Sequence, residues 1–143
     1  MSHLFSLMLG LLLLAPQNQD LPDAFHKLPE ETKSQAIVIV SGTFGHSIGP
    51  CIFMPDGTRR RPLHSWIRIK KVYRGEVGGK QVYINVSLPP IDEKTGMKFE
   101  VGREYLMLLR PDEESMKAMK TGDYMPLRNA VTNDEILAVV VLK

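Results

Sequence analysis

Apolar positions along this chain recur mostly at every second residue, in short runs punctuated by glycine and proline, which predicts strands rather than helices. Ala36–Phe44 (AIVIVSGTF) is rich in β-branched residues and predicts a first strand ending at Gly42 and Gly45. Leu63–Arg74 (LHSWIRIKKVYR) predicts a second, long strand with Ile67 and Ile69 on one face and Trp66, Arg68 and Lys70 on the other. Its phase then slips, because Val72 rather than Lys71 should face inward, and a bulge at Lys70-Lys71 restores it. Lys80–Leu88 (KQVYINVSL) alternates cleanly, with Val82 and Ile84 inward and Tyr83 outward. Tyr105–Leu109 (YLMLL), closed by Pro111, predicts a short buried strand, and Ile136–Leu142 (ILAVVVL) a last strand apolar on both faces.

Helix is expected at the start and in one late segment. Pro22 and Pro29 suit a first helical position and predict a short helix near residues 22–27 and another turn at 29–35, with Glu30 and Glu31 suiting a helix N-terminus after Pro29. Asp112–Lys120 predicts one or two turns, with Glu113 and Lys117 spaced i,i+4. Gly45–Arg61 reads as a long loop or irregular hairpin around the turn dipeptide Asp56-Gly57. Thr121–Asn133 reads as loop, with a brief strand at Tyr124–Leu127. The expectation is an all-β chain with minor helix, its five main strands closing into a small barrel that leaves few exposed edges.

The apolar run Leu4–Leu14 ahead of these elements is about 11 residues long, the length of a signal-peptide core, whereas a spanning helix needs about 20. Residues 1–19 are therefore expected to be a signal peptide and residues 20–143 a single domain; a buried N-terminal helix or strand is the alternative. The expected location is outside the cytoplasm, secreted or periplasmic, or held at the membrane by an uncleaved leader. One cysteine, Cys51, excludes an intramolecular disulfide framework and a cysteine-cluster zinc site.

Three phrases carry a family resemblance. Ala36–Gly42, Ile69–Gly75 and Phe99–Leu106 (FEVGREYL) occur in the order of the first, second and fourth strands of the netrin-like and tissue-inhibitor-of-metalloproteinases-like group, which this chain resembles over roughly residues 30–110. The resemblance implies an OB-fold barrel, five-stranded and exported, that binds a partner. It does not carry inhibition with it. Inhibitors of that group chelate zinc through an N-terminal cysteine, whereas Cys51 lies in a mid-chain loop and the group's disulfides are absent.

The net charge of +2 conceals a segregation. Residues 58–74 hold seven basic side chains (Arg59, Arg60, Arg61, Arg68, Lys70, Lys71, Arg74) and no acid, leaving eleven basic residues against sixteen acidic ones elsewhere. Arg59, Arg60, Arg61, Arg68 and Lys70, with Trp66 and Tyr83 as stacking surface, are the candidate binding residues for a polyanion or partner. The competing reading is a solvated face, since lysine and arginine also protect exposed sheet.

His46, Cys51, Asp56 and His64 are metal-ligand types at no recognised zinc spacing, so no metal or other cofactor is expected. Gly42–Gly49 lacks the Gly-Lys-Ser/Thr ending of a phosphate loop and reads as a glycine-rich turn. The functional expectation is a non-enzymatic binding module for a protein or an anionic polymer, with nucleic acid disfavoured by export. Two alternatives are a small metal-dependent or hydrolytic enzyme with its site in the 45–64 loop, and a structural cell-envelope protein.

Overall fold

The computed structural model describes residues 20–48, 52–60, 63–85, 98–124 and 130–143. Two short helices, α1 (Asp23–His26) and α2 (Glu30–Gln35), lead into β1 (Val38–Ile48). A small hairpin of β2 (Ile52–Phe53) and β3 (Arg59–Arg60) precedes the long β4 (Leu63–Arg74). Then come β5 (Gln81–Asn85), β6 (Glu104–Leu109), α3 (Glu113–Thr121), β7 (Val131–Thr132) and β8 (Ile136–Val141). The fold is all-β with minor helix, as the pattern predicts, and its main sheet is a curled half-barrel.

That sheet has six strands in the order β7-β5-β4-β1-β6-β8. Its two edge strands, β7 and β8, are separated in sequence only by the three-residue 3-10 turn Asn133–Glu135. At about 2 Å rise per residue such a turn spans about 6 Å, so the sheet has to curl until its ends nearly meet. The expected count of five strands differs from six because the last strand is interrupted: β7 pairs parallel with β5, and after the turn β8 pairs antiparallel with β6. The first half of this strand falls where the sequence predicts loop. It is too short for its alternation to show.

Glu135 pins the turn. It is 8% exposed, and its carboxylate accepts hydrogen bonds from the Thr132 N–H (3.1 Å), the Thr132 hydroxyl (3.0 Å), the Ser115 hydroxyl (3.2 Å) and the Asp112 N–H (2.7 Å). The last two donors stand at the start of α3, whose N-terminal dipole favours a negative charge. Helix α3 is itself well framed. Asp112 caps Ser115 N at 2.8 Å, and Gly122 ends the helix in the left-handed conformation (φ 72°).

The sheet buries both of its faces in part. Inside the curl lie Val38, Val40, Phe44, Ile67, Val82, Ile84, Tyr105, Met107, Leu109, Ile136 and Val139, closed below by Met119 of α3. On the outer face, Ile39, Tyr73, Leu106 and Leu108 are covered by Leu21 and Phe25 of the N-terminal segment. Pro22 and Pro29 stand at the cap positions of α1 and α2, one residue ahead of the expected first helical position.

The expected bulge in β4 is present. Ser41 pairs with Lys71 and Gly42 with Ile69, leaving Lys70 unopposed. A second irregularity follows, in which Tyr73 lies unopposed between Val72 and Arg74. Val72 is not the buried residue here: it is 38% exposed, while Tyr73 is buried under the N-terminal segment. A one-faced alternation misjudges this stretch because the outer face is covered too.

Strand β1 does not stop at Gly42 or Gly45 but runs through both to Ile48, so Gly42–Gly49 is not a turn up to that point. A Cβ on Gly42 would collide with the Arg68 carbonyl oxygen, so these glycines mark close approach of β4 rather than a strand end. The leader expected over residues 1–19, the Val86–Leu88 end of the third expected strand and Met125–Leu127 lie outside the described residues.

Replacing Glu135 by glutamine sets an amide N–H2 against the Asp112 N–H, and urea unfolding is expected to show a loss of about 1–3 kcal/mol. Ser115→Ala removes one hydroxyl donor and leaves the other three in place, so its expected loss is about 1 kcal/mol. A Glu135→Gln chain as stable as the parent would contradict this assignment.

Candidate functional site

The open half of the outer face lies on β1, β4 and β5. Because side chains alternate along a strand, burying Ile67 and Val82 turns Trp66, Arg68, Gln81 and Tyr83 outward. Pairing aligns them in two rows across the strands. The first is Gly45–Trp66–Tyr83, and the second Glu104–Thr43–Arg68–Gln81.

The first row is aromatic. Trp66 and Tyr83 meet edge to face with ring centroids 6.3 Å apart, and Tyr83 lies 5.1 Å from the ring of Tyr124, beyond α3. Trp66 lies flat against the bare backbone of Gly45, where a Cβ would come within 2.6 Å of its indole nitrogen. Trp66 and Tyr83 stay half-exposed, and Arg68, one step along β4, is exposed. A flat aromatic surface beside a guanidinium can stack on a ring and pair with an anionic substituent of the same ligand.

The basic residues of the segment that the structure describes do not form one patch. Lys70 is bound to Glu104 at 3.2 Å, and Lys71 to Asp20 at 3.2 Å. Arg74 donates to the carbonyls of Lys33 and Ala36, both at 3.0 Å, and so fastens α2 to the sheet. Arg59 belongs to the separate hairpin, where its guanidinium sits 5.2 Å from the Phe53 ring. Arg60 pairs with Ile52 in that hairpin, and Arg61 lies outside the described residues. The structure therefore brings together Trp66, Tyr83 and Arg68, and commits Lys70 elsewhere.

Of the metal-ligand types in the 45–64 loop, His46 is exposed at the end of β1 and Cys51 lies outside the described residues. Asp56 sits at the hairpin tip. Hydrogen bonds from the Thr58 hydroxyl (2.6 Å) and N–H (3.0 Å) hold its carboxyl below the usual carboxylate range. Among the described residues no three or more His, Cys, Asp or Glu side chains are grouped to hold a metal ion. Among them, too, no helix is long and apolar enough to cross a membrane.

Two residues of this region escape sequence reading. Tyr124 joins the aromatic row only because the chain after α3 folds back against β5, and no local signal marks that. Glu135 is different: the spacing Thr132-x-x-Glu135 is that of a capping box and was there to be found.

Burial, and then the neighbouring Tyr83, push the Tyr124 phenol up to about 12 from its usual 10. The folded chain thus favours the neutral phenol, a contribution present below pH 10 and lost as pH rises toward 12. Alkaline unfolding midpoints of the parent are expected to fall more steeply over that window than those of Tyr124→Phe. Identical slopes would contradict the assignment. The chain matches no protein-family model, no curated protein and no solved structure, which leaves the geometry to carry its functional reading.

Proposed function

We propose that this chain is an exported, non-enzymatic binding module of the OB type, akin to the netrin-like and metalloproteinase-inhibitor-like group, and that its ligand is an anionic polysaccharide. The strand order supports the OB reading. With β7 and β8 counted as one interrupted strand, the pairing runs β4, β1, β6, β8/β7, β5 and back to β4, a closed five-strand circuit. Folds of this type bind oligonucleotides and oligosaccharides on the face of their second and third strands, here β4 and β5.

The observation that carries the ligand assignment is the Trp66–Tyr83 pair on that face with Arg68 beside it. The apolar face of a sugar ring stacks on the aromatic row, and Arg68 pairs with a carboxylate or sulfate one sugar along. Thr43 and Gln81 flank Arg68 and supply further hydrogen-bonding groups.

Retention on an immobilised sulfated polysaccharide over a salt series tests the reading. Arg68→Gln is expected to lower the salt slope by about one, and Trp66→Ala to weaken binding by about 1–3 kcal/mol. Arg59→Ala/Arg60→Ala/Arg61→Ala should lower retention less than Arg68→Gln. Retention unchanged in both Trp66→Ala and Arg68→Gln would overturn the proposal.

A further inference from the structure

The β2–β3 hairpin has a surface of its own. It forms a two-stranded sheet not hydrogen-bonded to the six-stranded one, inserted in the connection between β1 and β4. Strand β2 and its next residue are apolar (Ile52, Phe53, Met54), and β3 is basic (Arg59, Arg60). Phe53 is 71% exposed, the highest value among the large apolar side chains described. A lone phenyl ring in water is costly, since burying it recovers about 1.5–3 kcal/mol.

Its cross-strand partner is Arg59, whose guanidinium lies over the ring at 5.2 Å. Phe53 and Arg59 thus share one face of the hairpin. The one acid in the hairpin, Asp56, is engaged by Thr58 at the tip, away from the Phe53–Arg59 pair.

We propose that this hairpin is a second contact surface, docking reversibly on an anionic lipid bilayer through Phe53 and Arg59. The chemistry of the pair matches the two layers of such a surface. An aromatic ring settles at the boundary of acyl chains and headgroups, and a guanidinium beside it pairs with lipid phosphate. Arg60 adds its charge to the same small hairpin. A soluble polyanion satisfies the arginines but leaves the Phe53 ring in water, and a purely apolar pocket satisfies Phe53 but not the charge. One ring and one arginine give a weak contact rather than an anchor, which suits a protein that also holds a ligand elsewhere.

Co-sedimentation of the full chain with phosphatidylcholine vesicles, and with vesicles in which part of that lipid is replaced by phosphatidylglycerol, tests the proposal. The quantity read is partition onto the anionic vesicles, each variant set against the parent, so that Leu4–Leu14 contributes equally to both. Phe53→Ala is expected to lower that partition about ten-fold and Arg59→Gln about five-fold. Phe53→Trp should keep it, its added fluorescence moving to the blue on the anionic vesicles alone. Trp66→Ala and Arg68→Gln should leave vesicle partition unchanged, which separates this surface from the polysaccharide face. No excess of anionic over neutral partition, or an anionic partition indifferent to Phe53→Ala, overturns the proposal; a loss with Arg59→Gln alone assigns the hairpin to soluble polyanions instead.

Discussion

Glu135 ties the turn between β7 and β8 to a stretch of chain 20 to 23 positions earlier, at the entrance of α3. Its oxygens take two hydrogen bonds from Thr132 at the end of β7 and two from the entrance of α3, while its own carbonyl accepts from Arg110 N at 2.8 Å just past β6. Burying a carboxylate is costly unless its lone pairs are filled, and here four donors fill them, two of them at the N-terminus of α3. The consequence is geometric. Because Glu135 fixes the short turn between the two sheet edges, β5 and β6 are tied to opposite ends of one interrupted strand and the sheet must curl. The curl encloses Phe44, Tyr105 and Met107, and it sets α3 and Tyr124 beside Tyr83.

The outer face is divided by the N-terminal segment. Leu21 and Phe25 cover Ile39, Tyr73, Leu106 and Leu108, and Arg74 holds the cover down through two backbone carbonyls. What stays open is the other half, where β4 and β5 carry Trp66, Arg68 and Tyr83. Basic residues that look equivalent along the sequence thus have different tasks: Arg74 fastens, Lys70 and Lys71 pair with Glu104 and Asp20, and Arg68 and Arg59 face water. A polyanion-binding reading drawn from charge density alone treats them as one patch. Among the described residues, Arg68 lies on the same face as the aromatic row, and Arg59 pairs with Phe53 on the separate hairpin.

Much of this was legible beforehand, because alternation is a local property. The main strands, the first short helix and the turn after it, the Lys70 bulge and the outward phase of Trp66, Arg68 and Tyr83 all follow from residue spacing within single segments. What was not legible depends on contacts between distant segments. Tyr73 is buried rather than Val72 because a helix from forty-odd positions earlier lies over it. Gly42 and Gly45 read as strand ends, since only the close approach of Arg68 and Trp66 shows why β1 carries glycine there. Strand β7, two residues long, has no periodicity to detect, yet it closes the sheet.

The central claim is that Glu135 holds the closure rather than merely contributing to stability in general. Native-state amide hydrogen exchange of Glu135→Gln against the parent tests this most directly. The account predicts that protection falls first and most at Asp112, Thr132 and the β5–β7 pairing, while the amides linking β1 to β4 keep theirs until global unfolding. Protection lost equally across β1, β4 and β5, or unchanged at Thr132 and Asp112, would contradict it.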